Sequence, residues 1–531
     1  MPILPSSIEQ NSQAAMEFLN HLLSSDTSSP LLFTQENFWI FFGAVLFVFS
    51  LVYKRISARN SLLFFASLFF YYKAGGAFSL LLLFVIISNF FLAKASARAT
   101  NKKHRMLILL FSLCINLGLL IYFKYTPFFI SLLKAAFGID LNLSDVFISG
   151  ITTTGSPINF TDFIVPIGIS FFIFQVVSYS IEVYRRRIEP VRNFIDFAFY
   201  VSFFQNLISG PLVKPQEFLP QVRMPFHLSR EDFGFAVFLI LTGLIKKIMI
   251  ADYLSVNFIG RVFENPHLFS GFENLIAIYG YALQIYFDFS GYTDIAIGLA
   301  LLLGFRLPPN FNAPYRARNI NEFWKRWHMS LTTWFRDYLF LPLVYWISGK
   351  LKKKRYMFVK TERWIYFSGI IVTFLLCGLW HGAAINFVIW GGIHGITLII
   401  HKFLYPKVRL SIKHNSFRFF LSGFCTFHFV VFTWIIFRVT NLDSFLIMMH
   451  KIIFNLHLEL IPEIFVSYWK ILLVMLSGFT MVWFPENLKM RIRNFFILSP
   501  EPVKVLVILI IVIFVYQFKV SGIQPFIYFQ F

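Results

Sequence analysis

The chain has 531 residues, of which 57% are hydrophobic, 20% aromatic and only 14% charged. Soluble domains carry about 25% charged residues, so this composition excludes an ordinary soluble globular protein. The formal net charge of +21 does not make the chain a nucleic-acid binder, because its Lys and Arg residues sit in short clusters between apolar runs, which is the positive-inside pattern of membrane proteins.

Many of those runs reach the roughly 17–25 residues needed to cross a bilayer. The expectation is an all-α polytopic membrane protein with about 12–14 membrane segments, re-entrant pieces included. Residues 1–36 contain no Lys or Arg. This argues against a cleavable signal peptide, which needs a basic start, and predicts an extracytoplasmic N-terminal segment.

The first span is expected at Phe38–Tyr53, followed by basic Lys54, Arg55 and Arg59. Ser61–Ala95 is long enough for a helical hairpin, broken near Gly75-Gly76, and ends in the cluster Arg98, Lys102, Lys103 and Arg105. Met106–Tyr125 forms the next span. The stretch Asp140–Asp162 is rich in Ser, Thr, Gly and Asn without a basic residue, and is placed outside. Phe163–Tyr184 returns to Arg185-Arg186-Arg187, with Glu182 as their partner at headgroup level.

Phe197–Leu212 contains Gly210-Pro211 and is predicted to be broken or re-entrant. Phe233–Ile250 follows, then a polar loop over Asn257–Gly271. The run Asn274–Phe305 holds two acids, Asp288 and Asp294, around a Ser290-Gly291 pair that is expected to break the helix. A carboxylate at bilayer depth costs roughly 2.5–3.5 kcal/mol on insertion scales, so each acid is expected to face a cavity or a partner, or to bond to backbone at that turn.

After the Pro/Asn-rich connector Leu307–Tyr315 comes the most unusual stretch, Asn321–Leu343, NEFWKRWHMSLTTWFRDYLFLPL. On one helix, at about 100° per residue, Trp324, Trp327, Leu331, Trp334, Phe335 and Tyr338 share a side. Lys325, Thr332 and Arg336 line the other, with His328 on the border. This predicts an amphipathic helix with its rings in the acyl boundary and its cations among headgroups.

Beyond the basic loop Lys350–Arg363, the span Trp364–Trp380 ends at His381, which is followed by Gly382-Ala383-Ala384. Small residues permit close helix approach or access to the ring. A buried neutral imidazole suits a general base, and a core histidine bonded to a carbonyl is the alternative. Ile385–Ile400, Phe419–Phe437, Tyr468–Phe484 and Val503–Phe518 complete the spans, and the alternation puts the C-terminus outside. His394 follows His381 by thirteen positions, so on one continuous helix it faces elsewhere.

Cys114, Cys377 and Cys425 lie in apolar runs without CxxC spacing, so neither a disulfide framework nor a zinc site is expected. There is no HExxH, GxSxG, Walker A or dinucleotide motif. No metal and no bound cofactor are expected. Any chemistry rests on histidine and membrane-embedded polar groups, which is sufficient for base-assisted acyl transfer from a thioester to a hydroxyl.

Two stretches, FWKRWHMSLTTWFRDYLFLPL (323–343) and LWHGAAINFVIWGGIHG (379–395), resemble the signature regions of the membrane-bound O-acyltransferase (MBOAT) family, in its alginate O-acetyltransferase-like branch. VPIGISFFIFQVVSYSIEVYR (165–185), YVSFFQNLISGPLVK (200–214), FDFSGYTDIAIGLALLLGF (287–305) and NFNAPYRARNINEFW (310–324) follow the family's order. One departure is Gln205-Asn206, where members usually carry Pro-Gln.

The resemblance implies a ring-like fold around a central funnel, with His381 as the catalytic histidine and His328 as the second active-site group. Lys325, Arg326, Trp327, Arg336, Asp288, Asp294 and Asn386 are the substrate-binding candidates, with Lys325, Arg326 and Arg336 suited either to donor phosphates or to anionic headgroups. The implied donor is acetyl-CoA or another acyl thioester from the cytoplasm. The acceptor is a hydroxyl of a glycan or of a partner protein, with an extracytoplasmic acetyltransferase as partner, in a bacterial inner membrane.

The implied division is 1–36 N-terminal segment, 37–159 N-terminal transmembrane helices, 160–400 catalytic core and 401–531 C-terminal transmembrane helices. Two rival readings stand beside acetyl transfer. One is D-alanyl transfer to teichoic acid; the other is a transporter that moves acyl groups or lipid without making bonds.

Overall fold

The computed structural model describes residues 31–139, 165–351, 353–356, 359–412 and 416–519. Most of the N-terminal segment without Lys or Arg and the polar stretch Asp140–Asp162 lie outside the described residues. Those described are helical apart from connectors and one short antiparallel strand pair, Arg355–Tyr356 with Val359–Lys360.

Among the described residues, eight helices are long and apolar enough to cross a membrane: those within Phe78–Arg98, Lys102–Phe137, Arg230–Glu264, Gly271–Leu302, Thr361–His381, Ile385–Leu404, Phe417–Arg438 and Glu501–Phe518. Two further pairs, Leu442–Phe454 with Leu458–Ser467 and Trp469–Trp483 with Glu486–Leu498, bend by 84° and 95° and would bring the number to ten. Glu36–Val52 and Ile169–Tyr184 are apolar but shorter. The chain is therefore an all-α polytopic membrane protein.

The chain divides into two compact units. One comprises residues Met1–Leu117, Ile164–Ile208 and Leu219–Pro225; the other takes the remainder. In the first unit the expected hairpin is present. Ile56–Gly75 and Phe78–Arg98 are separated at Gly76, whose φ of 54° is open to glycine and costly for other residues.

Its interior is glued by amides. The Asn89 and Asn116 side chains exchange hydrogen bonds at 3.0 and 2.8 Å, and the Ser112 hydroxyl donates to Asn89 Oδ1 at 2.8 Å. Such pairs satisfy polar groups where there is no water to do so. Arg59, read from sequence as part of a basic loop, is instead buried and donates to the carbonyls of Met224 and Val222 at 2.9 and 2.6 Å. Glu182 pairs with Arg185 at 3.2 Å and Arg187 at 3.7 Å, as its place beside the arginine cluster predicts.

The expected break in Phe197–Leu212 is present: the helix ends at Leu207, the chain is non-helical through Gly210-Pro211 to Lys214, and Phe203 adds a second interruption between Phe194–Ser202 and Phe204–Leu207. Gln175 holds this bend: its Nε2 donates to the Tyr200 carbonyl at 2.6 Å, and its Oε1 accepts from Asn206 Nδ2 at 3.2 Å.

The second unit is organised on the 32-residue helix Gly271–Leu302, whose candidate span is 83% buried within the protein. Ser270 and Glu273 close a capping box at its start. The sequence reading places a break at Ser290-Gly291, and the structure corrects it, since the helix runs through both residues. A Cβ on Gly291 would lie 2.8 Å from the Gly243 carbonyl oxygen, and one on Gly298 would lie 2.7 Å from that of Ala236. The small residues thus let the helix Arg230–Leu244 approach closely; they do not turn the chain.

That neighbouring span is also longer than its sequence indicates. It continues through π-helical turns Ile245–Asp252 and Ser255–Ile259 to Glu264, so the polar loop expected over Asn257–Gly271 is helical for its first half.

Candidate functional site

The signature stretch is not one helix. Ile320–Trp324 is capped by the Asn319 side chain, which accepts from the Glu322 N–H at 2.8 Å. The chain then turns, and Met329–Phe335 starts afresh from His328, whose φ of 41° is left-handed. That conformation is uncommon for a residue other than glycine and marks a position fixed by its surroundings.

The face assignment nevertheless survives the break. Trp324, Trp327, Leu331, Trp334, Phe335 and Tyr338 are all buried, while Lys325 and Arg336 are exposed. The rings face the protein interior rather than the acyl boundary. Trp327 packs 4.9 Å from Trp434 and 5.1 Å from Phe311, and Trp324 lies 5.8 Å from Trp390.

The connector that precedes the stretch supplies the clamp for His328. The backbone of Asn310 accepts from the Met329 N–H at 2.9 Å. Its Oδ1 accepts from the Ser330 hydroxyl at 2.6 Å and faces His328 Nδ1 at 3.4 Å. An amide oxygen only accepts, so Nδ1 carries the proton in this arrangement and Nε2 is the basic nitrogen.

Ser330 in turn accepts from the Leu212 N–H at 3.0 Å, which fastens the Ser209–Phe218 segment to the same turn. The Lys214 ammonium reaches Asp337 at 2.5 Å. His328 lies in the connector between the spanning helices Gly271–Leu302 and Thr361–His381. Burial pulls its pKa down to about 3, so the ring is neutral at physiological pH.

His381 is the last residue of the helix Thr361–His381, and the chain turns at Gly382 before Ile385–Ile412 begins. The two helices are joined at glycines, since a Cβ on Gly378 or Gly391 would lie 2.1 Å from a carbonyl oxygen of the facing helix. The His381 ring sits among Trp380, Trp390 and Phe437, with centroids 5.0, 5.3 and 5.3 Å away. Trp380 is also 6.2 Å from the His328 ring, and Phe289 stands edge-on to His328 at 4.5 Å. The two histidines, 53 positions apart in sequence, thus flank one tryptophan.

The break at Gly382 also frees His394 from the helical phase expected of it. Its Nδ1 accepts from Trp324 Nε1 at 3.3 Å, and its Nε2 lies 3.0 Å from the Thr433 hydroxyl, which donates to the Val430 carbonyl at 2.8 Å. A Trp N–H can only donate, so His394 is the neutral Nε2–H form and ties three helices together.

The remaining expected residues are dispersed. Trp327 is stacked on Phe323 beneath the His328 turn. Arg326 is bound to Glu322 at 2.9 Å and to the Asn312 carbonyl at 3.0 Å. Arg336 pairs with Asp337 at 2.7 Å. Asn386 donates to the carbonyls of Val439 and Ile436 at 2.9 and 3.3 Å, at the end of Ser416–Arg438.

Asp288 meets Lys247 at 2.6 Å, and Lys247 also holds Asp252 at 2.7 Å. Asp294 is paired with Lys246. Both acids thus find cations on the π-helical turn. Asn310, Ser330, Trp380 and Trp390 are the neighbours that sequence reasoning did not single out. The Asn-rich run NFNAPYRARN was the available signal for the first of them.

Residues 119–444 match the MBOAT, membrane-bound O-acyltransferase family, and the chain belongs to that family.

Among curated relatives it is 37% identical over 352 residues to the probable alginate O-acetylase AlgI of Pseudomonas syringae pv. tomato, covering 66% of this chain and 61% of that protein. It is 32% identical over 367 residues to the peptidoglycan O-acetyltransferase of Helicobacter pylori, covering 64% of this chain and 63% of that protein. It is 30% identical over 277 residues to the teichoic acid D-alanyltransferase of Bacillus subtilis, covering 51% of this chain and 68% of that one. The chain thus spans less than two thirds of the length of the two acetylating relatives.

Proposed function

We propose that the protein is an integral membrane O-acetyltransferase that modifies hydroxyls of an extracytoplasmic polysaccharide or cell-wall glycan. The observation that carries this reading is the placement of His381 and His328 on either side of Trp380, each at a helix boundary and each buried. His381 accepts the proton of the incoming hydroxyl as its oxygen attacks the thioester carbonyl. The tetrahedral oxyanion then collapses, the thiolate leaves, and the proton held by His381 neutralises it. His328, neutral and anchored on Asn310, orients the donor or donates toward the oxyanion.

The donor is acetyl-CoA or another acyl thioester from the cytoplasm. The exposed Lys325 and Arg336 offer it cations, and Asp288, Asp294, Arg326 and Asn386 shape the surroundings through the pairs described above. The catalytic region falls within residues 160–400, flanked by the helices of 37–159 and 401–531. The host membrane is a bacterial inner membrane with both termini outside, and an extracytoplasmic partner protein completes transfer to the glycan.

The acetylating relatives support acetyl over D-alanyl transfer, being matched over a larger share of this chain than the teichoic acid enzyme. The test is alkali-released acetate from the envelope of cells carrying the wild-type chain or His381→Ala. Acetate should fall to background in the variant at equal membrane levels; undiminished acetate rules out His381 as the base.

A further inference from the structure

Lys124 is the single charged residue between Arg105 and Lys134, in a run otherwise suited to the bilayer interior. Such a placement is costly and needs a local reason. The helix Lys102–Leu120 passes into a π-helical turn, Ile121–Tyr125, before Thr126–Phe137 resumes. A π turn widens the helix by one residue and redirects the side chains it carries.

Here the Lys124 ammonium donates to the carbonyl of Trp380 at 2.6 Å and to that of His381 at 3.3 Å, and it lies 5.8 Å from the Trp380 ring centroid. Those carbonyls belong to the last turn of Thr361–His381, where helix geometry leaves acceptors unmatched and the dipole is negative. Among the described residues no carboxylate pairs with this ammonium, so its charge is directed at the helix end.

We propose that Lys124 is a positioning residue for acyl transfer: its ammonium clamps the carbonyls of Trp380 and His381 and thereby fixes the His381 ring relative to Trp380 and His328. This rests on the acyltransferase reading above. The helix end that bears His381 is followed by Gly382-Ala383-Ala384, which offers no side-chain cap of its own. The clamp replaces that cap with a cation supplied from more than 250 positions earlier in the chain. Both N–H···O bonds are charge-assisted, the strong class of hydrogen bond. Arg can reproduce the charge and the donors; Gln keeps one donor group without the charge, and Met keeps only the length.

The test compares Lys124→Arg, Lys124→Gln, Lys124→Met and His381→Ala as purified full-length proteins in proteoliposomes. Acetyl transfer from labelled acetyl-CoA is measured together with thermal unfolding. The expected result is that the Gln and Met variants fold but lose kcat by about 100-fold, the scale of a 1 Å misplacement, with KM for the donor within about threefold of wild type. Lys124→Arg recovers at least about a tenth of the lost rate, as a charge-keeping donor should.

Three outcomes overturn the proposal: Lys124→Met retaining wild-type kcat, a raised KM with unchanged kcat, or failure of the Gln and Met variants to fold. The first assigns no role to the clamp, the second makes Lys124 a substrate-binding group, and the third makes it an element of the fold. His381→Ala separates the levels. If that variant is active, the catalytic reading itself falls; if it is dead while Lys124→Met is active, only the positioning role does.

Discussion

Substituting Gly391 by Ala tests the geometry that delivers His381. The added Cβ would lie 2.1 Å from the Phe374 carbonyl oxygen and 3.3 Å from Gly378 Cα. Real Cβ contacts begin near 3.0 Å, so the facing backbones must separate by about 0.9 Å. A backbone carbonyl in mid-helix has no rotamer to escape through, so the whole end of Thr361–His381 has to shift.

Overpacking of this kind costs about 1–3 kcal/mol, and displacing a reacting group by about 1 Å costs about 100-fold in rate. Gly392 is the matched control. A Cβ there meets only Leu375 Cδ2, at 3.5 Å, and Ala gains up to about 1 kcal/mol of helix propensity over Gly.

Thermal unfolding in detergent and acetyl transfer in proteoliposomes should separate the two. Gly391→Ala is expected to be less stable and about 100-fold slower, and Gly392→Ala as stable as wild type or more so, with full activity. Equal behaviour of both variants would refute the close approach of the two helices as the element that sets His381.

Three further outcomes follow from the site. Thr433→Val leaves the His394 Nε2–H without its acceptor and should destabilise the protein by about 1–3 kcal/mol, read as a lowered melting temperature; Trp324→Phe should cost less, since His394 Nδ1 then loses only a donor. Asp288→Asn leaves Lys247 its second carboxylate, Asp252, and an amide oxygen in place of the first, so it should cost about 1–3 kcal/mol, with KM for the donor unchanged; a raised KM at wild-type stability would instead make Asp288 a ligand.

The pH dependence of stability follows from His328. Its folded pKa of about 3 lies below the 6.5 of the free side chain, so between those values the unfolded chain binds the extra proton. Stability should therefore rise with pH across that window and be fully present above it, by at most about 1.4 kcal/mol per pH unit. His328→Asn should flatten that slope in melting curves taken between pH 4.5 and 7; an unchanged slope contradicts a buried neutral His328.

The span positions were legible because hydrophobic run length and basic clusters act locally. The hairpin break at Gly76 and the arginine partners of Glu182 are read from a few neighbouring residues. The buried face of 321–343 was also legible, since its aromatic residues recur at helical spacing. What failed was continuity. His328 interrupts that helix because Asn310 and Ser330 hold it in place, and no periodicity encodes a contact across 18 or 20 positions.

The converse error was made at Ser290-Gly291, where a glycine serving a neighbouring helix resembles one serving a turn. The cation partners of Asp288 and Asp294 were hidden for a similar reason. Lys246 and Lys247 are aimed by a π-helical turn that hydropathy does not reveal.

His381 is proposed as the base for acyl transfer in a site shared with His328. Purified protein in liposomes, given labelled acetyl-CoA and a soluble glycan acceptor, tests it most directly when wild type is compared with His381→Ala and His328→Ala. Wild type should label the glycan, His381→Ala should not, and His328→Ala should show a severe loss, all three proteins being folded. Labelled glycan from folded His381→Ala at the wild-type rate would contradict it.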